Sequence, residues 1–252
     1  MRVTIYSRLC IVAVVLSSLS CQETRRSITA TGELIPMTAE WDIANEHIDS
    51  IIMPYQQKVD SIMSPVLGTA QIALTRGRPQ SLLSNYAADI LRESAVDYIG
   101  HPADIGLMNM GGLRAELNAG PITVGEIYEI FPFLNYLCIL SLKGSDVEAL
   151  LDTVVAIGGE GVSNVQIRAT KDRKPLSLKV GGEAIDHDRI YTIATIDYLA
   201  EGNDRMSALL KAVKTERCNV LLRDVFINSI RKQTKQGKQI TVRLDDRYIV
   251  VE

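Results

Sequence analysis

Histidine is scarce in this chain: three in 252 residues, at positions 47, 101 and 187. A centre that activates water against a phosphate needs several imidazole and carboxylate ligands converging on metals about 4 Å apart. Three scattered histidines do not supply one. His47 falls on the polar side of a helical pattern, His101 precedes a proline and His187 stands between Asp186 and Asp188. In such settings a solvated imidazole is the ordinary outcome, so no metal ligand and no catalytic residue is assigned to the chain. A basic excess is also missing. Lysine and arginine number 27 against 30 acidic residues, a formal net charge of -3, which argues against a surface that tracks a nucleic-acid polymer. A small anion held by a few arginines is still allowed. No internal repeat and no low-complexity block is found. The remaining composition, 46% hydrophobic and 23% charged, suits one globular domain with a sizeable core.

Long hydrophobic runs are absent too. Arg2 and Arg8 precede an apolar run from Leu9 to Leu16 and the small-residue segment Ser17-Ser18-Leu19-Ser20-Cys21. The apolar part is too short to span a bilayer, and the layout is that of a secretory signal over residues 1–21. Its ending resembles a bacterial lipoprotein signal with Cys21 as the lipidated residue; plain secretion is the alternative. The expected location is extracytoplasmic, as an outer-membrane or cell-surface lipoprotein or in the periplasm of a bacterium, with membrane attachment through the lipid alone. Of the four cysteines, Cys10 leaves with the signal, Cys21 is the anchor, and Cys138 and Cys218 read as buried free thiols.

Residues 22–38 lack periodicity and read as a linker. Trp41, Ala44, Ile48, Ile51, Ile52, Tyr55, Val59, Ile62 and Met63 then recur at three- and four-residue steps, predicting an amphipathic helical segment over 39–64 that Pro54 kinks or divides. Its apolar stripe over residues 39–63 must be covered by the body, by a second copy through self-association, or by another chain. A second helix starts after Ser81, whose hydroxyl suits an N-cap, with Leu82, Leu83, Tyr86, Ala87, Ile90 and Leu91 as its buried stripe. Strands are expected at 105–108, 137–142, 165–168 and 191–195, and helices at 145–156 and 219–232. The stretch 176–185 alternates around Gly181-Gly182, a hairpin signal. Helices interleaved with antiparallel strands, without a βαβ rhythm, predict an α+β fold of mixed sheet and packed helices across 65–252.

Three short segments carry the functional signal: Asn109-Met110-Gly111-Gly112-Leu113-Arg114, Phe131-Pro132-Phe133-Leu134-Asn135 and Tyr198-Leu199-Ala200-Glu201-Gly202-Asn203-Asp204. A glycine pair lets backbone approach a ligand, an arginine nearby is a planar anion clamp, and two separated aromatics suit the two faces of a flat ring. Taken singly each is ordinary: a tight turn, a surface arginine, a core phenylalanine. In this order they resemble the C-terminal domain of the 5'-nucleotidase family, over about residues 66–248. The run Arg76 to Asp89 is similar to the arginine-bearing opening of that domain. Asn109 and Gly111 to Arg114 match its Asn-Gly-Gly-Ile-Arg motif, Pro132, Phe133 and Asn135 its Pro-Phe-Gly-Asn motif, and Tyr198 to Asp204 its aromatic-Leu-Ala-x-Gly-Gly-Asp motif.

The resemblance implies a substrate-binding domain that holds a nucleotide or nucleoside. By position Phe133 and Tyr198 would stack on the base, Asp204 would accept ribose hydroxyls, and Asn109 would meet base edge or sugar. Gly111, Gly112 and Asn135 complete the site, and Arg114 with Arg76 or Arg78 would hold phosphate. Several positions depart from the motifs: Gln80 for glutamate, Ser84 and Leu134 for glycines, Tyr198 for phenylalanine, and Asn203 within the last glycine pair. Hydrolysis in the family belongs to an N-terminal metallophosphatase domain, whose Asp-x-His, Gly-Asn-His-Asp and Gly-His-x-His motifs do not occur here. The chain is therefore expected to need no cofactor of its own, to be inactive alone, and to work with a separately encoded metallophosphatase carrying divalent metals. The alternative readings are a non-catalytic capture module for nucleosides or nucleotides, or an interaction protein whose site is lost.

Overall fold

The computed structural model describes residues 30–36 and 46–251. The expected signal, Cys21, residues 22–29 and 37–38 of the linker and residues 39–45 of the first helical segment lie outside them. By internal contacts the chain divides into residues 1–49 and 50–252. Residues 30–36 have no regular structure and are exposed.

The first helix, α1, spans Glu46–Met63 and carries Pro54 inside it without a break. None of its residues is buried. No helix among the described residues is long and apolar enough to cross a membrane. Then follow β1 (Val66–Ala70), α2 (Leu82–Ser94), α3 (Val96–Ile99), β2 (Ile105–Met108), β3 (Gly120–Thr123), α4 (Val124–Ile130), β4 (Tyr136–Lys143) and α5 (Gly144–Ala156). The second half contributes β5 (Gly161–Ser163), β6 (Val165–Thr170), β7 (Pro175–Val180), β8 (Glu183–Ala184), β9 (Ile190–Ile196), α6 (Asp197–Ala200), β10 (Lys214–Leu221), α7 (Leu222–Lys235) and β11 (Tyr248–Val251).

The central sheet has the order β10-β4-β9-β2-β5, with β2 and β9 parallel and the other neighbours antiparallel. A second sheet, β11-β6-β7-β8, also mixes one parallel pair with antiparallel ones, and β1 and β3 form a separate ribbon. The fold is α+β, as the mixed pattern of elements predicts.

Local chemistry accounts for the elements that flank the site. Ser81 caps α2: its Oγ accepts the Ser84 N–H, and Ser84 Oγ accepts the Ser81 N–H in return. The serine standing where the family motif has glycine thus closes a capping box. Helix α2 lies against β2 through Gly106, where a Cβ would run into the Ala88 carbonyl and come within 3.0 Å of Arg92 Cβ. A bare backbone is needed for that approach. The β7–β8 turn places Gly181 and Gly182 at φ of 63° and 86°, two positive values in succession as a tight hairpin turn requires. Phe226 of α7 packs on Phe131 with ring centroids 4.2 Å apart, and on Tyr86 edge-on at 6.2 Å.

One expected helix is shifted. Residues 219–221 end β10 instead of opening α7, because 214–217 pair with β4 and a bulge with Asn219 at φ 50° carries the strand on to Leu221. Cys138 is buried in β4 and Cys218 half-buried in β10, both as free thiols. Burial pushes their pKa values up to about 12 and about 11.

Candidate ligand-binding cavity

Strands β2 and β9 run parallel and β4 runs antiparallel to β9, with Leu137 opposite Ile196. The carboxyl ends of β2 and β9 therefore meet the start of β4 at one end of the sheet, and each carries one motif. Beyond Met108 the chain enters a 3-10 turn, Met110–Gly112, with Asn109 before it. Beyond Ile196 it enters α6, which presents Tyr198, and then a loop to Asp204. Before Tyr136 come Phe133 and Asn135. Asp197 ties the last two together, since its Oδ1 accepts the N–H of Tyr136 at 3.1 Å and of Tyr198 at 2.9 Å.

A cavity of about 390 Å³ opens there, lined by Asn109, Gly111, Gly112, Arg114, Phe133, Asn135, Tyr198 and Asp204. That volume is in the range of small-molecule sites. Phe133 and Tyr198 are 48% and 39% exposed, unlike the core aromatics Phe131 and Phe226, so ring surface is left uncovered in the free protein. Arg114 lies over Phe133, with Cζ 5.9 Å from the ring centroid, and its Nη1 donates to the Gly111 carbonyl at 3.4 Å. Its backbone is fixed by the Ile130 carbonyl at 2.9 Å.

Asp204 joins two motifs. Its Oδ2 accepts from Asn109 Nδ2 at 2.6 Å and its Oδ1 accepts the Tyr198 hydroxyl at 3.0 Å. That hydrogen bond, with the carboxylate charge beside it, raises the Tyr198 pKa above its ordinary value, which keeps the hydroxyl a donor. The loop is shaped for the purpose: Asp204 and Arg205 adopt φ of 53° and 66°, and Asn203 Nδ2 donates to the Tyr198 carbonyl at 2.9 Å. Asn109 is 3% exposed, and its Oδ1 has no hydrogen-bond partner in the protein. A buried amide oxygen left unpaired costs about 1–3 kcal/mol.

The two glycines differ. A Cβ at Gly112 would sit 2.5 Å from Met108 Cε and 2.7 Å from Asn109 Oδ1, whereas at Gly111 it would make ordinary contacts of 3.6 Å or more. A side chain at 112 would thus have to displace the Met108 methyl and the Asn109 amide that Asp204 holds.

Two of the residues expected to face ligand do not line the cavity. Arg76 spends its Nη1 on the Leu113 carbonyl at 2.6 Å. Arg78 donates to the carbonyls of Gly159 and Ile157 and pairs with Glu160 at 2.6 Å. Glu160 is the residue the sequence reading missed. It is 1% exposed and accepts the Met110 N–H with its second oxygen. Burial raises its pKa, while the Met110 N–H and Arg78 pull the other way. No motif marks a lone glutamate after two glycines as buried.

Among the described residues no group of three His, Cys, Asp or Glu side chains could hold a metal ion. His187 pairs with Glu148 at 2.9 Å, and His101 Nδ1 lies 2.9 Å from the Pro102 carbonyl. The described residues do not fit a two-metal centre.

The profile of the family described as "5'-nucleotidase, C-terminal domain" matches residues 65–211. The chain belongs to this family. It is 25% identical over 213 residues to the trifunctional nucleotide phosphoesterase protein YfkN of Bacillus subtilis, covering 77% of the chain and 14% of that protein. It is 26% identical over 166 residues to protein UshA of Escherichia coli, covering 64% and 30%. The 5'-nucleotidase precursor from Thermus thermophilus superposes with a TM-score of 0.71 at 25% identity, over 82% of this chain and 43% of that one. The chain thus spans less than half of each of these relatives.

Proposed function

We propose that this chain is the nucleoside- or nucleotide-recognition domain of a 5'-nucleotidase-type hydrolase, acting in extracytoplasmic nucleotide breakdown. The observation that carries this reading is the cavity itself, where two half-exposed rings, a carboxylate, two asparagines and one arginine gather at a single sheet end. Phe133 and Tyr198 stack on the base, an interaction worth about 1–3 kcal/mol and tolerant of base identity. Asp204 accepts hydroxyl donors of the sugar, Asn109 and Asn135 meet its edge, and Arg114 takes a phosphate oxygen. The attack on phosphorus belongs to a metallophosphatase that supplies divalent metals. Export through the N-terminal signal, with a lipid on Cys21, belongs to the same reading.

The test is calorimetric titration with adenosine, beside an assay of AMP hydrolysis by the metal-replete protein. Adenosine binding is expected, weakened about ten- to hundredfold by Asp204→Ala through loss of charge-assisted hydrogen bonds, with no AMP turnover. Turnover that disappears on Arg114→Ala contradicts the division of labour; adenosine affinity unchanged by Asp204→Ala contradicts the site.

Self-association is part of the proposal. Ile51, Ile52, Tyr55, Val59 and Ile62 of α1 are each at least two-fifths exposed, more apolar surface than one helix usually leaves open. Sedimentation is expected to show a concentration-dependent dimer that Tyr55→Ser with Ile62→Ser returns to monomer. A wild-type monomer at all concentrations would refute it.

A further inference from the structure

The two aromatic walls of the cavity leave neighbouring strands, and one carboxylate joins them. Strands β4 and β9 pair as far as Leu137 and Ile196. One residue further, where α6 begins, Asp197 Oδ1 accepts both the Tyr136 and the Tyr198 N–H, so a single side-chain oxygen carries the link on. Its other oxygen, Oδ2, meets Arg217 Nη2 of β10 at 3.3 Å, and the same guanidinium lies over the Tyr136 ring with Cζ 4.0 Å from the centroid. A bulge shapes this corner. Arg217 stands opposite Cys138, so an unbroken ladder would set residue 219 against Tyr136; instead Leu221 pairs there, with Asn219 at φ 50° between them. Bulges re-aim side chains in this way. The Arg217 and Asp197 side chains are 53% and 19% exposed, and such a pair is worth little as an attraction alone. Its place in the chain is what gives it leverage: Tyr198 follows Asp197 directly, and Phe133 lies just before Tyr136.

We propose that Asp197 and Arg217 are positioning residues that set the gap between the Phe133 and Tyr198 rings, Asp197 by joining the two chains at one oxygen and Arg217 by holding that carboxylate and the Tyr136 ring. The proposal rests on the reading that the two rings receive one base. Neither residue lines the cavity, so their effect on ligand passes through the rings. With the link cut, a base stacked on one ring meets the other less fully, and ordering the two walls costs part of the binding free energy. The link and the rings then act as one unit, and their losses do not add.

The experiment titrates adenosine and AMP into the full chain, its Arg217→Ala, Asp197→Ala, Asp197→Asn and Phe133→Ala variants and the Arg217→Ala, Phe133→Ala double variant, with thermal unfolding of each. Arg217→Ala is expected to weaken adenosine about three- to tenfold while shifting the melting temperature by no more than about 3 °C. Asp197→Ala is expected to cost about tenfold or more, because two amides lose their acceptor. Asp197→Asn, whose amide oxygen still accepts both N–H groups, is expected to recover part of that loss. The double variant is expected to bind about threefold or more tighter than the product of the two single losses predicts. A double variant at that product overturns the positioning role, because Arg217 would then act independently of the ring. AMP weakened about tenfold beyond adenosine in Arg217→Ala makes Arg217 a phosphate ligand and overturns it too. If Asp197→Ala fails to fold, adenosine affinity unchanged in Arg217→Ala overturns the proposal. A wild-type protein that binds no adenosine overturns the reading of the cavity as well.

Discussion

Arg247→Met is expected to lower the unfolding free energy by about 1.5–3 kcal/mol, the usual worth of hydrogen bonds to charged groups, because the guanidinium is inside while both of its carboxylates are 42% exposed and can rehydrate. The Arg247 side chain is 12% exposed. It bonds both oxygens of Asp89 at 2.9 and 3.2 Å, both oxygens of Asp245 at 2.7 and 2.8 Å, and the carbonyls of Asn85 and Val162. One side chain thereby joins the segment before β11 to α2 and to β5. Methionine keeps much of the volume but removes the guanidinium donors to two carboxylates and two carbonyls, while the backbone N–H at 247 still donates to Asp245 at 3.2 Å. The hydrogen bond from Arg247, despite partial burial, holds the Asp245 carboxyl below its ordinary value of 3.8. A carboxyl depressed in the folded state contributes stability above its unfolded pKa and loses it as pH falls through the folded one. Wild-type stability should therefore fall on acidification below about pH 4, and the variant should show a shallower acid slope. Urea titrations at neutral and acid pH measure both effects; a loss under about 1 kcal/mol would show the network to be dispensable.

Adenosine affinity is expected to fall by about 1–3 kcal/mol in Phe133→Ala and again in Tyr198→Ala, each roughly five- to a hundredfold. The losses are expected to add approximately in the double variant if one base lies between the rings, and to leave thermal stability little changed, because neither ring belongs to the core. Tyr198→Phe separates two roles. It keeps the stacking face and removes only the hydroxyl that donates to Asp204, so it should cost far less than alanine. Calorimetry on the wild type and the four variants decides the matter. Equal losses in Tyr198→Phe and Tyr198→Ala would transfer the tyrosine's contribution from stacking to its hydroxyl.

Strands such as 105–108 and the hairpin over 176–185 were legible because burial or turn chemistry acts within a few residues. Ser81 was legible as a cap for the same reason. The segment 219–221 was not, since its strand character comes from following a stretch paired with β4, a partner about eighty residues away. Strand β3 and helix α4 went unread even though Thr123 and Glu126 form a capping box, a signal present in the sequence. At the cavity, the resemblance named residues that the sheet brings to one end. The exceptions, Arg76 and Arg78, show where spacing runs out. It places an arginine near a turn, but which way its donors are spent depends on Glu160, about eighty positions later, and on the Leu113 carbonyl.

The most direct test of the account is amide chemical-shift mapping of isotope-labelled protein titrated with adenosine. Saturable shifts are expected at Asn109, Gly111, Gly112, Arg114, Phe133, Asn135, Tyr198 and Asp204, around the cavity they line. Saturable shifts confined to another part of the molecule, or none at millimolar adenosine, would contradict the claim that this cavity receives a nucleoside.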